Sequence, residues 1–201
     1  QYKERRVNGF NSLFATSSIK AARAYYQEFK RQQADLPEAR RLSVGIIYSY
    51  APNAEAPGTG LLSEESMDPS ALSQDDRAFL DEAIADYNQQ FGASFGTDAS
   101  GFEHYYEHLS RALTEKRIDL VIVVDMFLTG FDSKSLNTLW VDKNLRAHGL
   151  IQAFSRTNRI LNSVKTYGNI VCFRNLEQAT EDAIALFGNK DARGQVLLRP
   201  Y

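Results

Sequence analysis

The segment "IDLVIVVDMF", residues 118–127, constrains the fold most strongly because it is apolar at consecutive positions. A strand with one face in solvent would alternate apolar and polar residues, whereas an unbroken apolar run is typical of a strand covered on both faces. Strands of this kind occur in parallel sheets that have helices on both sides. The chain is therefore predicted to contain such a sheet.

The remaining segments alternate between strand and helix patterns, as a layered α/β domain requires. Further strands are predicted within 10–18, 41–50, 136–142 and 167–173. Helices are predicted at 19–33, 75–91, 101–116 and 176–188, with one more around the segment 148–160. Ser17 or Ser18 is the expected N-cap of the first helix. Ligands of such sheets bind beyond the carboxyl ends of the strands, so the loops there are the candidate sites.

The charge of the chain is unevenly distributed. The formal net charge is −2, which argues against a dedicated basic nucleic-acid binder. Nine acidic residues and one basic residue lie between Glu55 and Asp86, which leaves a charge of +6 on the rest. Residues 51–73, rich in Gly, Pro, Ser and Glu, predict a surface loop or mobile insertion. A phosphate-binding face is permitted on the basic remainder, but not required.

No segment approaches the length of a transmembrane span or resembles a signal peptide, so a cytoplasmic protein without a membrane partner is predicted. The single cysteine, Cys172, is predicted to be a buried thiol in a strand. The chain begins without methionine, which suggests a piece of something longer.

A cluster of acidic and histidine residues has the i, i+4 spacing of metal ligands, but it lacks an evident third ligand. A solvated helix face is the favoured interpretation, and no metal site is predicted there. The cluster comprises Glu103, His104, Glu107 and His108.

The segment "HGLIQAFSRTNRI", residues 148–160, places Gln152, Arg156 and Arg159 at spacings of four and three. On a helix these side chains would share one face. Two arginines on one face repel each other, so the pattern points to an anion between them. A solvated helix face would explain the pair if it stood alone.

The loop "DMFLTGFDSKS" follows the buried strand and contains two candidate binding residues. Gly130 allows close approach of a ligand to the backbone, and Asp132 can hold a hydroxyl group or a cation. An ordinary turn would explain either residue alone. Because the arginine-bearing helix begins after the neighbouring strand, both segments are expected on the same rim of the sheet.

Together these segments resemble a known family. "VVDMFLTGFD" resembles motif V, and "QAFSRTNR" resembles motif VI, of superfamily 2 helicases and translocases. The run from "DMFLTGFDSKS" through "YGNIVCFRNLEQATEDAIALFG" is similar to the R subunit of type I restriction enzymes. The close resemblance covers 119–190, and 10–33 fits motif IV more loosely. It implies an α/β, RecA-like three-layer second motor domain at 1–190, with an acidic insertion at about 51–100 and a following segment from 191.

For the nucleotide, the resemblance implies ATP and Mg²⁺ in a cleft between two motor domains, held mainly by the first. It implies that Arg159 is an arginine finger, with Arg156 as its companion on the phosphates. Gln152 would orient water or link the motifs. Gly130 and Asp132 resemble the motif V residues that approach the nucleotide ribose and couple the nucleotide to the nucleic-acid track.

For the nucleic acid, the resemblance implies double-stranded DNA. The candidate contacts are the hydroxyl groups of Thr16, Ser17, Ser18 and Thr129. The first three could hold a phosphate at a helix N-terminus, although simple N-capping is an alternative interpretation. Many family members have a threonine where this chain has Val124, so a direct hydroxyl contact at that position is not expected.

The sequence lacks a G-x-x-x-x-G-K-[ST] loop and an acid pair on a strand, so it holds half of an ATPase site and is expected to be inactive alone. The resemblance implies nuclease and first motor domains upstream, and methyltransferase and specificity subunits as partners. Two alternatives are another superfamily 2 motor, such as an RNA helicase, and a non-catalytic RecA-like assembly module.

Overall fold

A computed structural model describes residues 9–49, 72–161 and 163–187. The strands in these ranges are β1 Asn11–Thr16, β2 Val44–Ile47, β3 Leu120–Val123, β4 Leu136–Asp142 and β5 Asn169–Cys172. The α-helices are α1 Ile19–Gln33, α2 Gln74–Phe91, α3 Ala99–Thr114, α4 Ala147–Ser155 and α5 Glu177–Phe187.

The strands form one sheet in the order β2-β3-β1-β4-β5, and every neighbouring pair is parallel. Leu13 of the central strand β1 pairs with Val121 of β3 on one side and with Leu139 of β4 on the other. All four residues of β3 are buried, as the consecutive apolar pattern predicted. The predicted parallel sheet is confirmed.

Helices cover both faces of the sheet. The ring of Phe14 lies 4.6 Å from that of Tyr25 in α1. Gly45 pairs with Val121, and Val121 pairs with Leu13, so Gly45 points to the face opposite that of Phe14. A Cβ at Gly45 would lie 3.0 Å from the Leu109 side chain of α3. Since successive strand residues point to opposite faces, α1 and α3 lie on different sides. The α/β class with three layers is confirmed.

Helix α2 belongs to the same core as α1 and α3. Phe79 of α2 meets Tyr26 of α1 edge-on at 5.9 Å, and Tyr87 of α2 meets Tyr105 of α3 at 5.0 Å. The apolar stripe of α2 therefore packs between two other helices. Helix α2 lies within the range 51–100 that was predicted as an insertion, and it packs on this core. Residues 50–71 lie outside the described residues.

The predicted element boundaries agree closely where the local signal is strong. Helix α1 begins after Ser18, whose Oγ accepts a hydrogen bond from the Ala21 amide at 3.1 Å, and both the cap and the range 19–33 are as predicted. Strand β4 also has its predicted range. The predicted end of α5 at Gly188 falls outside the described residues.

The histidines of α3 have different environments. Glu103, His104 and Glu107 are exposed, whereas the ring of His108 packs among aromatic rings and its Nδ1 lies 2.9 Å from the Tyr87 hydroxyl. The described residues contain no group of three His, Cys, Asp or Glu side chains arranged to hold a metal ion.

Cys172 lies in a strand, β5, as predicted, but it is half-buried and not fully buried. This burial raises the pKa of the thiol. Within the described ranges, none of the helices is both long enough and apolar enough to cross a membrane.

Tyr105 links α3 to the sheet through a fully buried side chain whose hydroxyl donates to the Ile46 carbonyl at 2.8 Å. Tyr105→Phe should lower the free energy of unfolding by about 1 kcal/mol because this hydrogen bond is lost. Urea unfolding measures the change. Tyr167→Phe, at an exposed position, is the control and should change stability by less than about 0.5 kcal/mol. Equal stability of the two variants would contradict the prediction.

Candidate functional site

The loop between β3 and β4, residues 124–135, runs from one end of the parallel strands to the other. Because the strands are parallel, it leaves the carboxyl end of β3 and enters the amino end of β4. Phe127 and Phe131 anchor it, with their buried rings 4.8 Å apart. Gly130 is exposed and has φ of +68°, a backbone conformation that favours glycine. We call residues 124–135 the β3–β4 loop.

The prediction that Gln152, Arg156 and Arg159 share one helix face is wrong. Helix α4 ends at Ser155, Arg156 is its C-cap, and Arg159 lies beyond it. The amide of Arg156 bonds to the carbonyl three residues earlier, and the next two amides do the same. This tightened turn takes the chain off the helix path before Arg159. We call residues 156–159 the arginine turn.

Arg159 contacts the β3–β4 loop through its side chain. Its Nε lies 2.8 Å from Asp132 Oδ1, and the two side chains are 57% and 55% exposed. The two segments singled out from the sequence therefore do come together, but not at the predicted carboxyl rim of the sheet. Asp132 lies just before the amino end of β4, and Gly168, the residue before β5, packs against Thr157 of the arginine turn. Such an exposed pair contributes at most about 1 kcal/mol, so another anion can displace the carboxylate at little cost.

Arg156 is partly buried and serves as a clamp. Its Nη1 donates to the Phe131 carbonyl, its Nε to the Gln152 carbonyl at 3.0 Å, and its Nη2 to the Ser155 hydroxyl at 3.2 Å. These bonds fasten the end of α4 to the β3–β4 loop. The two arginines thus have separate acceptors, backbone carbonyls for Arg156 and Asp132 for Arg159, so their repulsion does not require a shared anion.

Gln152 has one unsatisfied polar atom. Its side-chain Oε1 is buried and has no hydrogen-bond partner among the described residues. A buried acceptor without a donor costs about 1–3 kcal/mol. The side chain therefore has an acceptor left for a small donor such as a water molecule.

Lys143, which the sequence analysis did not single out, joins the carboxyl ends of β3 and β4. Its Nζ donates to the Val124 carbonyl at 3.1 Å and forms an ion pair with Asp125. The lysine and aspartate side chains are 15% and 24% exposed. The sequence shows an acidic residue after one strand and a lysine after another, but whether the two lie close together depends on the strand order.

The hydroxyl groups at the end of β1 are placed differently from one another. Thr16 is fully buried and donates to the Val123 carbonyl at 3.1 Å, so its prediction as a DNA contact is wrong. As the last residue of the central strand, it is enclosed by its neighbours. Ser17 and Ser18 are exposed, and Ser18 caps α1. Thr129 is partly buried within the β3–β4 loop.

Comparisons with known proteins agree with one another. A family profile described as type I restriction enzyme subunit R domain 3 matches residues 8–175. A type I restriction enzyme endonuclease subunit of Staphylococcus aureus (strain MRSA252) is 39% identical over 201 residues, 99% of this chain and 20% of that protein. One from Staphylococcus saprophyticus is 41% identical with the same coverage. The chain therefore spans about a fifth of these curated relatives.

Among solved structures, a Saccharomyces cerevisiae Dbp5 variant bound to RNA and ADP BeF3 matches 94% of this chain and 42% of its own. The sequence identity is 13% and the TM-score 0.37.

The two arginines should differ in their effect on stability. Arg156→Ala should lower the free energy of unfolding by about 1–3 kcal/mol because the Phe131 carbonyl loses the donor that ties the β3–β4 loop to α4. Arg159→Ala should change it by less than about 1 kcal/mol because only an exposed ion pair is lost. Urea unfolding of both variants tests the contrast. A larger loss for Arg159→Ala would contradict the assignment of the clamp.

Proposed function

This chain belongs to the family of type I restriction enzyme subunit R domain 3, and we propose that it is the second RecA-like motor domain of such a subunit. In this proposal the parent protein hydrolyses ATP to translocate double-stranded DNA and then cleaves it. The domain supplies motifs IV, V and VI to an ATP site shared with the first motor domain. The observation that carries the proposal is the exposed Arg159 held beside Asp132 of the β3–β4 loop.

The geometry around Arg159 suits a phosphate. A guanidinium group has five donors in a plane, and more than half of this side chain is exposed. Asp132 restrains its direction without burying it. An arginine presented in this way can offset the charge that develops on a transferring phosphoryl group, as arginine fingers do. ATP is the substrate, and the first motor domain is proposed to hold most of it together with Mg²⁺.

The β3–β4 loop suits the other end of the nucleotide. Gly130 is exposed, and the space where a Cβ would stand has no atom within 4 Å. A ligand can therefore approach the backbone there. The Asp132 carboxylate can accept hydrogen bonds from ribose hydroxyl groups. When nucleotide binds, Asp132 exchanges part of its contact with Arg159 for the ligand.

The other motif residues take supporting roles. Arg156 positions the β3–β4 loop against the end of α4 by its backbone contacts, and any phosphate contact comes from its remaining donors. Gln152 offers an acceptor that is unsatisfied in this structure, which suits a residue that orients water or links the motifs.

The proposed DNA contact is at the start of α1. Ser17 and the capped N-terminus of α1 present a hydroxyl group and backbone amides, which together suit a backbone phosphate. Such contacts position the motor without reading sequence. DNA recognition is therefore assigned to a specificity subunit, with a methyltransferase subunit completing the proposed complex.

Loss of the proposed finger should abolish catalysis while the fold survives. In the full-length R subunit, Arg159→Ala should lower kcat for ATP hydrolysis by about 10³- to 10⁵-fold. Steady-state ATPase measurements with duplex DNA test this. Arg31→Ala is a matched control, since Arg31 Nε also lies 2.8 Å from a carboxylate oxygen, that of Glu28, on an exposed surface. Normal turnover by Arg159→Ala would remove the assignment.

The DNA contact is tested by adding a negative charge at Ser17. Ser17→Asp should weaken binding of the full-length subunit to duplex DNA at low salt, and the difference should shrink as salt screens the added charge. Fluorescence anisotropy across a salt series measures both effects. Ser94→Asp, at another exposed serine, is the control. Identical affinity of the two variants would exclude a phosphate contact at Ser17.

A further inference from the structure

Lys165 is a buried cation behind the arginine turn. Its side chain is 2% exposed, and its Nζ donates to the Thr157 carbonyl at 2.8 Å and to the Arg159 carbonyl at 2.5 Å. The backbone brings it there by folding back: the Leu161 amide donates to the Lys165 carbonyl at 2.9 Å, and the Lys165 amide to the Leu161 carbonyl at 3.2 Å.

We propose that Lys165 is a positioning residue that fixes the direction of Arg159 towards the nucleotide. The inference rests on the proposed role of Arg159 as the arginine finger. Lys165 touches neither substrate nor reacting atoms in this proposal, and it acts by holding two carbonyl groups of the arginine turn.

The burial of an amine here requires a reason beyond packing. Burial lowers the pKa of Lys165, which shows that the charged form is less favourable there than in water. Among the described residues, no carboxylate forms an ion pair with it within 4.0 Å. An apolar side chain of similar length would fill the space without that desolvation cost. What it could not do is donate hydrogen bonds to the carbonyls of Thr157 and Arg159.

Arg159 needs support from its backbone because its side chain is weakly held. It lies beyond the last residue of α4, so the helix does not fix its carbonyl. The ion pair with Asp132 is exposed and readily exchanged. The hydrogen bond from Lys165 restrains the peptide that follows Arg159, and therefore the origin of the side chain.

The packing around Thr157 supports the same conclusion. Thr157 is 1% exposed. A Cβ on Gly168 would lie 2.3 Å from the Thr157 carbonyl oxygen and 2.4 Å from its Cβ, so the chain before β5 packs directly against the turn. Lys165 and Gly168 thus contact the turn from one continuous segment, whose function the sequence analysis did not assign.

The experiment is a double-mutant cycle in the full-length R subunit. Lys165→Met should lower kcat for DNA-dependent ATP hydrolysis by about 10²-fold, the loss typical of a misplaced catalytic group, with little change in KM for ATP. In the Arg159→Ala background, Lys165→Met should cause no further loss of kcat. Thermal unfolding of each variant gives the folded fraction to which kcat is normalised.

The control is Lys30→Met, which removes a lysine that pairs with a carboxylate, Asp86, at 2.5 Å between α1 and α2, away from the arginine turn. It should leave kcat unchanged. If Lys165→Met does not fold, Lys165→Arg replaces it, since arginine keeps a cation but places its donors differently, and the same pattern is expected.

Each outcome has a distinct meaning. Unchanged kcat in Lys165→Met overturns the positioning role, and so does an equal loss in both backgrounds, which would indicate a general structural effect. Either result leaves the role of Arg159 intact. Normal kcat in Arg159→Ala overturns the proposed function and, with it, the role of Lys165.

Discussion

The parallel pairing of β1 with β3 on one side and β4 on the other is the constraint on which the rest depends. It brings together three carboxyl ends that are far apart in the sequence. The Thr16 hydroxyl at the end of β1, the start of the β3–β4 loop and Lys143 after β4 become neighbours only in this order. Parallel strands require long crossovers, and those crossovers carry the residues proposed to act on nucleotide and DNA.

The connection between β4 and β5 contains two arginines that have different roles. Arg156 is partly buried and donates hydrogen bonds to two backbone carbonyls and a hydroxyl group, so it fastens α4 to the β3–β4 loop. Arg159 is exposed, and its side chain pairs with a carboxylate that another anion can displace. The difference arises because the chain leaves the helix between them. One guanidinium then faces the protein and the other faces solvent.

Burial separates the fixed parts of the site from the exchangeable ones. The hydrogen bonds of Lys165 are sheltered from water, whereas the ion pair of Arg159 is open to it. Interactions away from solvent are weakened less by salt and by competing water than exposed ones are. A movable side chain on a firmly held backbone suits a residue whose side chain must move to contact a ligand while its backbone stays fixed.

The sequence by itself determined the types of the elements and much of the core. Period and capping residues were enough for α1 and β4, and the apolar run was enough for a doubly covered β3. The position of the two motifs after neighbouring strands also indicated that Arg159 and Asp132 would lie close together, although it placed them at the carboxyl rim. These features succeed because periodicity and capping are local properties, set by neighbours within a few positions.

Only the tertiary structure decided the strand order, the end of α4, the burial of Thr16 and the place of Lys165. No glycine or proline occurs between 150 and 160 to mark the helix end. That end is held instead by a carbonyl of the β3–β4 loop and by an amine from beyond the turn. Contacts between distant segments leave no periodic trace in the sequence, so they become visible only when the sheet brings those segments together.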